Sequence, residues 1–541
     1  MKLSLKLFCS FTLLSLAIFS CARIISPTGG PEDEEGPDLI SSTPAPGETN
    51  FKGQTLKFSF SERVQARSLE TDIVITPKPE GSFKSRINKN VVELTFFEPF
   101  KDSTTYSINF ASSVQDVTNN NPADGVGLSF STGPYIDSLS ISGNIVNLYN
   151  QEPVENALVS LYQLQDSLNI IDGAASYYSK TDSVGNYSFN NLPSGEFRVY
   201  AVRDKNSNGI ADTEKEKYGF YADTLMLNTS LSNIDMTLQN LNTEKLKTTS
   251  ARPFGTYYDI SFNKSITGFE VMNLEDLDFH FFSDEKIRFY NTSEVFGDTT
   301  DLIFSAIDSL NQALLDTAKF YFSESKLSKT SLSLQFEPRT EGILEEDTIK
   351  LIFNKPIAKV NFDSLSFIKD SLNVIPIDTS LLKWNIYQTE LSIPLSADKL
   401  LGNGSQSAAL NIKAAAFISV DQDSSKSQQR SITRLKAEDT AMISGTVSTN
   451  VDKVIVQLLD SRSRKIIRES RLKNFVFEFL PAGRYEVRVI KDLNANGKWD
   501  IGNILTNQPS EPAKFYFDDF YNTKVIEVRK NWEQTDVNIN F

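Results

Sequence analysis

Along most of this chain apolar and polar residues alternate one by one, as in Thr55-Leu56-Lys57-Phe58-Ser59-Phe60. Runs of this kind recur every 8 to 15 residues, separated by turn clusters. A period of two predicts strands buried on one face. No long stretch has the 3.6-residue period of a helix. The best helical candidate, Leu302 to Phe322, carries Asp308-Ser309-Leu310-Asn311 in its middle. That tetrapeptide fits a turn, and we read a hairpin. The pattern predicts an all-β protein of tandem β-sandwich modules.

Two internal repeats divide the chain. The alternating strand ending Phe60-Ser61-Glu62-Arg63-Val64 returns as Phe262-Asn263-Lys264-Ser265-Ile266 and as Phe353-Asn354-Lys355-Pro356-Ile357. The first copy follows Pro44 and Gly47 and precedes Thr104-Thr105-Tyr106-Ser107-Ile108. It resembles the bacterial Ig-like domain of S-layer proteins. A second unit begins Ile141-Ser142-Gly143 and again Ile443-Ser444-Gly445. Its later part, Leu192-Pro193-Ser194-Gly195, recurs as Leu480-Pro481-Ala482-Gly483. This unit resembles the transthyretin-like regulatory domain of carboxypeptidases, a sandwich in which Leu-Pro-x-Gly turns the chain between two strands. The expected order is a bacterial Ig-like domain over 39–134 and a transthyretin-like sandwich over 135–242. Ig-like sandwiches over 243–330 and 331–438 and a second transthyretin-like sandwich over 439–541 follow.

Before the first module the chain is of another kind. Lys2 and Lys6 precede an apolar run from Leu7 to Phe19 that is too short to span a bilayer. Ile18-Phe19-Ser20-Cys21 then resembles a bacterial lipobox, which implies a signal peptide over 1–20 and acylation of Cys21. Residues 21–38, rich in Gly, Pro and acids, read as a lipid-anchored tether. The resemblance implies attachment to the outer membrane through acyl chains. Ala22 stands where an inner-membrane lipoprotein typically has aspartate, and the side of the membrane is left open.

Composition narrows the chemistry. The formal charge is −15, and loss of Lys2 and Lys6 with the leader would make it −17. Nucleic acid is therefore not an expected partner. Cys9 leaves with the leader and Cys21 is acylated, so no thiol remains for catalysis or a disulfide. His280 is the sole histidine and lies in the alternating segment Leu277-Asp278-Phe279-His280-Phe281-Phe282. Multi-histidine zinc sites are thus excluded, and no enzyme is expected.

Two loops hold the remaining candidate chemistry. One carries Asp204, Asn206, Asn208, Gly209, Ile210 and Asp212; the other carries Asp492, Asn494, Asn496, Gly497, Lys498 and Asp500. Oxygen side chains at alternate positions, with carbonyls at Ile210 or Lys498, are what calcium takes. The pattern resembles the first nine positions of an EF-hand, but Lys215 and Asn503 stand where the bidentate glutamate belongs. Calcium would bind weakly, at roughly 10⁻⁴–10⁻³ M; the competing reading is an Asx turn. The triplet Asp-[Ser/Thr]-apolar, as in Asp182-Ser183-Val184 and Asp308-Ser309-Leu310, resembles a bacterial O-glycosylation site, against which stands its use as a turn.

Together these features point to a non-enzymatic outer-membrane lipoprotein, a modular binding or scaffold protein. A protein partner in the outer membrane, in an assembly or secretion complex, is expected. The alternative is a surface glycan-binding or glycan-processing lipoprotein; glycan binding would call for clustered exposed aromatics, whereas Trp384, Trp499 and Trp532 are scattered, though Trp499 lies in a loop.

Overall fold

The strand Thr55–Phe60 buries Leu56, Phe58 and Phe60 and exposes Lys57, and the same rule builds nearly the whole molecule. The computed structural model describes residues 34–541, apart from 67–68, 70–72, 111–112, 124–126, 166–167, 256, 276, 293–298, 324–329, 339–341, 344–345, 370–372 and 403–406. Cys21 and most of the tether lie outside the described residues. The last tether residues dock on the first sandwich: Pro37 is buried, and Asn121 donates to the Glu35 carbonyl at 3.1 Å.

Among the described residues the strands form mostly antiparallel sheets, with parallel pairs such as Leu139–Asn147 with Met236–Leu238, that face each other over five main hydrophobic cores. Tandem β-sandwiches are thus the architecture. The first core, from Phe51 to Phe130, is largely aromatic, with Phe58, Phe60 and Phe110 in edge contacts at 4.7 and 5.7 Å. The next cores run from Ile141 to Leu238, Leu246 to Phe320, Leu332 to Ile432 and Ala441 to Ile539. The segment at 302–322 is a hairpin, Thr300–Asp308 paired with Ala313–Phe320. Asp308 makes its turn by accepting the backbone N–H of Leu310 and Gln312.

The Phe-[Ser/Asn] repeat acts as a clip. Asn263 accepts the N–H of Lys247 and donates to the Lys245 carbonyl. Asn354 does the same with Ser333 and Ser331. In the first sandwich Ser61 Oγ accepts from Asp38 N–H. Each copy thus ties down the chain as it enters a sandwich. The next residue, Lys in two copies, is buried against a carboxylate: Lys264 on Asp308 at 2.5 Å and Lys355 on Asp421 at 3.0 Å.

The second and fifth sandwiches share one topology. In the second, Asn186–Leu192, Leu139–Asn147 and Met236–Leu238 form one sheet. The other contains Tyr177–Lys180, Leu158–Gln163, Gly195–Val202, Tyr218–Phe220 and Leu225–Leu227. In the fifth, Asn474–Leu480 and Ala441–Ser448 match the first sheet, and Ile466–Ser470, Val454–Asp460 and Gly483–Lys491 match the second. In each copy the Leu-Pro-x-Gly turn carries the chain from one sheet to the other.

The modules do not form an extended file. The fifth folds back on the second, where Arg488 donates to the Tyr149 carbonyl at 2.9 Å and Arg464 meets Glu152 at 3.2 Å. It also reaches the third through Asn503 and the Leu310 carbonyl, and the fourth through Lys465 and Glu337.

Candidate functional site: the Asn-Gly loops and the module junctions

Each Asn-Gly loop follows the strand after the Leu-Pro-x-Gly turn. In the first, Asp204 accepts the N–H of Asn208 at 3.3 Å and of Gly209 at 2.7 Å. Asn206 accepts from Asn208 N–H, and Asn208 from Ile210 N–H. In the second, Asp492 accepts from Asn496 and Gly497 N–H at 3.0 and 2.9 Å, and Asn496 from Lys498 N–H at 2.7 Å. Asn494 accepts from Asn496 N–H, while the amide nitrogens of Asn494 and Asn496 both donate to Asp500. Gly209 and Gly497 have φ of 75° and 72°, the left-handed region that the tight turn needs.

A residue outside the sequence pattern closes each loop. Buried Glu216 accepts the N–H of Lys205 and of Asp212, at 2.7 and 3.0 Å. Buried Glu511 accepts those of Leu493 and Asp500, at 2.7 and 3.0 Å. The two glutamates are equivalent, but seven extra residues lie between Asp500 and Glu511, so a fixed repeat offset misses the pair.

The loop oxygens are thus engaged by backbone N–H donors. No group of three or more His, Cys, Asp or Glu converges here among the described residues. The geometry is that of Asx turns. Asp492→Ala is expected to lower stability by about 2 kcal/mol, and equally in excess calcium and in chelator. A larger loss with calcium, read by thermal unfolding, would assign the metal.

Some polar and charged groups meet at or beside the junctions. Within the fourth sandwich Lys355 contacts Asp421 and Asp423, each at 3.0 Å, and Tyr257 of the third sandwich donates to Asp421 across the junction at 2.8 Å. Between the second and fifth, Trp499 meets Tyr149 edge-on at 5.7 Å, with the Arg488 guanidinium 4.5 Å from its ring. The tryptophan considered for glycans is therefore half-buried in a junction, its indole N–H held by the Glu511 carbonyl.

His280 lies in the strand Phe279–Ser283, buried and stacked 5.6 Å from Tyr290. Burial, then the nearby Arg288 guanidinium, pushes its pKa down to about 4. The unfolded chain takes up this proton near pH 6.5, the folded one only near 4, so lowering pH across that window destabilises the fold. His280→Phe is expected to remove up to about 3 kcal/mol of that loss. Denaturant unfolding of both proteins at pH 7 and near pH 4 measures it, and identical pH dependence would refute it.

The fold and its junctions define a multi-module β-sandwich protein whose modules are fastened to one another. Residues 33–132 match the family model of the bacterial Ig-like domain. No curated protein matches the chain. Among solved structures it is similar to the N-terminal part of the bacterial S-layer protein SbsC, with 14% identity and a TM-score of 0.15. That match covers 36% of this chain and 42% of the S-layer structure. The major pilin subunit BcpA of Bacillus cereus is 10% identical, with 75% of this chain and 99% of the pilin covered and a TM-score of 0.14. A Bacteroides uniformis structure described as a putative carbohydrate binding protein is 9% identical over 34% of this chain and all of its own, with a TM-score of 0.12. At such TM-scores none of the three assigns this chain a role.

Proposed function

We propose that this protein is a non-enzymatic scaffold, anchored to the outer membrane through acyl chains on Cys21, that holds a protein partner in an assembly or secretion complex. The observation that carries this reading is the fastening of the sandwiches. The hydrogen bond from Tyr257 of the third sandwich to buried Asp421 of the fourth, and the Arg488–Tyr149–Trp499 contact between the fifth and the second, give the modules fixed neighbours. A body of fixed shape offers a partner a preorganised surface, which lowers the ordering cost of binding. The proposed anchor rests on the lipobox-like Ile18-Phe19-Ser20-Cys21; no helix among the described residues is long and apolar enough to cross a membrane.

Affinity purification of the intact lipoprotein from detergent-solubilised membranes tests the proposal. A stoichiometric outer-membrane protein is the expected companion. A lone monomer that binds glycans would instead favour the glycan-binding reading. That reading rests on a different surface, the loop where Phe520 and Tyr521 are 86% and 72% exposed.

A further inference from the structure

A cavity of about 500 Å³ lies at one end of the second sandwich, beside its Asn-Gly loop and next to the junction with the fifth. Its walls carry Arg203, Lys205, Lys215 and Lys217, three asparagines, and one carboxylate, Glu152. The carboxylate is already paired from outside, by Arg464 at 3.2 Å and Lys524 at 3.3 Å. Lys215 is shared with Asp212 and Glu214. Arg203 donates to the Glu155 carbonyl at 2.8 Å, and neither Arg203 nor Lys217 has an ion-pair partner among the described residues.

Four cations around one cavity repel one another, and in a chain with 69 acidic and 54 basic residues such a gathering runs against the overall balance. The fifth sandwich shows that the scaffold does not require it. Arg203 N–H donates to the Lys217 carbonyl as Lys491 N–H donates to that of Pro512. Lys205 N–H donates to Glu216 as Leu493 N–H does to Glu511. Lys215, just before Glu216, corresponds to Ser510, just before Glu511. The same four places therefore hold Lys491, Leu493, Ser510 and Pro512. Three of the four cations belong to the second sandwich alone.

We propose that this cavity binds a compact anion bearing at least two charged oxygen groups, phosphorylated or carboxylated. The volume lies within the range of small-molecule sites. A cleft of net positive lining focuses its field on an entering anion. The Arg203 guanidinium offers paired donors to a phosphate or carboxylate, and Lys217, whose carbonyl accepts the Arg203 N–H, adds a second charge to the lining. Asn147 and Asn240 add neutral polar groups to the lining.

Isothermal titration of the full chain at physiological ionic strength, with pyrophosphate, citrate and acetate, tests this. At least one of the two polyanions is expected to bind saturably, and acetate roughly tenfold more weakly or worse. Which polyanion binds tells phosphate from carboxylate. The double variant Arg203→Gln/Lys217→Gln should lose about tenfold or more in affinity while keeping its unfolding midpoint, since both side chains are exposed. Lys491→Gln, at the matching place in the fifth sandwich, should leave binding unchanged. No saturable heat with either polyanion, undiminished affinity in the double variant, or loss through Lys491→Gln would each overturn the proposal.

Discussion

Replacing Lys355 by methionine is expected to cost the protein about 3–5 kcal/mol, because it strands the carboxylate of Asp421 where water barely reaches. Lys355 and Asp421 are 3% and 4% exposed, and the ammonium lies within 3.1 Å of both Asp421 oxygens. Burial by itself would raise the Asp421 pKa. Hydrogen bonds from Ser419, Tyr257 and Lys355 outweigh it and hold the carboxyl below its usual range. A lowered carboxylate pKa adds stability above the ordinary range near 4, and that stability is lost as pH falls through the lowered value. The junction should therefore loosen in acid even in the parent protein. A chain of several modules does not unfold in one step. The loss is thus best read by native-state hydrogen exchange in Tyr257–Phe262 and Glu346–Phe353, which flank the pair. Lys355→Met with Asp421→Leu should recover part of the loss, since no unpaired charge then remains at Asp421. Protection within about 1 kcal/mol of the parent in the single variant would show that the pair contributes little.

Lys355 also shows how far the sequence could be read. Its repeat, Phe-[Ser/Asn]-[Glu/Lys]-x-[Val/Ile], is visible in three places because local alternation and a strand end are local properties. The partners of that lysine are not visible: Asp421 and Asp423 lie more than sixty residues on, and only folding brings them near. The hairpin at 308–311 was legible for the opposite reason, since its turn is closed by Asp308 within four residues. The Asn-Gly loops were legible as loops, but Glu216 and Glu511, which close them, sit beyond the motif and at unequal spacing. The return of the fifth sandwich onto the second leaves no periodic trace. It rests on single side chains such as Arg488, whose place in a strand looks like any other alternation. The cavity cations were hidden likewise, because Arg203 and Lys217 meet across two strands.

The other large effect belongs to Gly445, the glycine of the Ile-Ser-Gly repeat. Val537 N–H donates to the Ser444 carbonyl at 3.2 Å, and Thr446 N–H donates to Asn538 Oδ1 at 3.1 Å, so the last segment lies directly over this glycine. A Cβ there would stand 1.9 Å from the Val537 carbonyl oxygen and 3.0 Å from the Phe475 ring. Gly143 repeats the arrangement, its Cβ falling 2.1 Å from the Ile234 carbonyl oxygen, with Ile234 N–H on Ser142 and Asn144 N–H on Asp235. The obstacle is backbone in both copies, so no side chain can swing aside. Gly445→Ala must push the closing segment away, exposing Val537 and Ile539, which are buried in the fifth core. Each buried side chain of that size contributes roughly 1.5–3 kcal/mol, so a loss of about 3 kcal/mol or more is expected. Release of the segment should appear as fast hydrogen exchange over 532–541 and as early proteolytic clipping there, while the first four sandwiches keep their protection. Gly268→Ala is the control, since its Cβ would find nothing closer than Ile307 at 3.9 Å and should move stability by no more than about 0.5 kcal/mol. If Gly445→Ala behaved like that control, the close crossing of the final segment would not be what the repeated glycine is for.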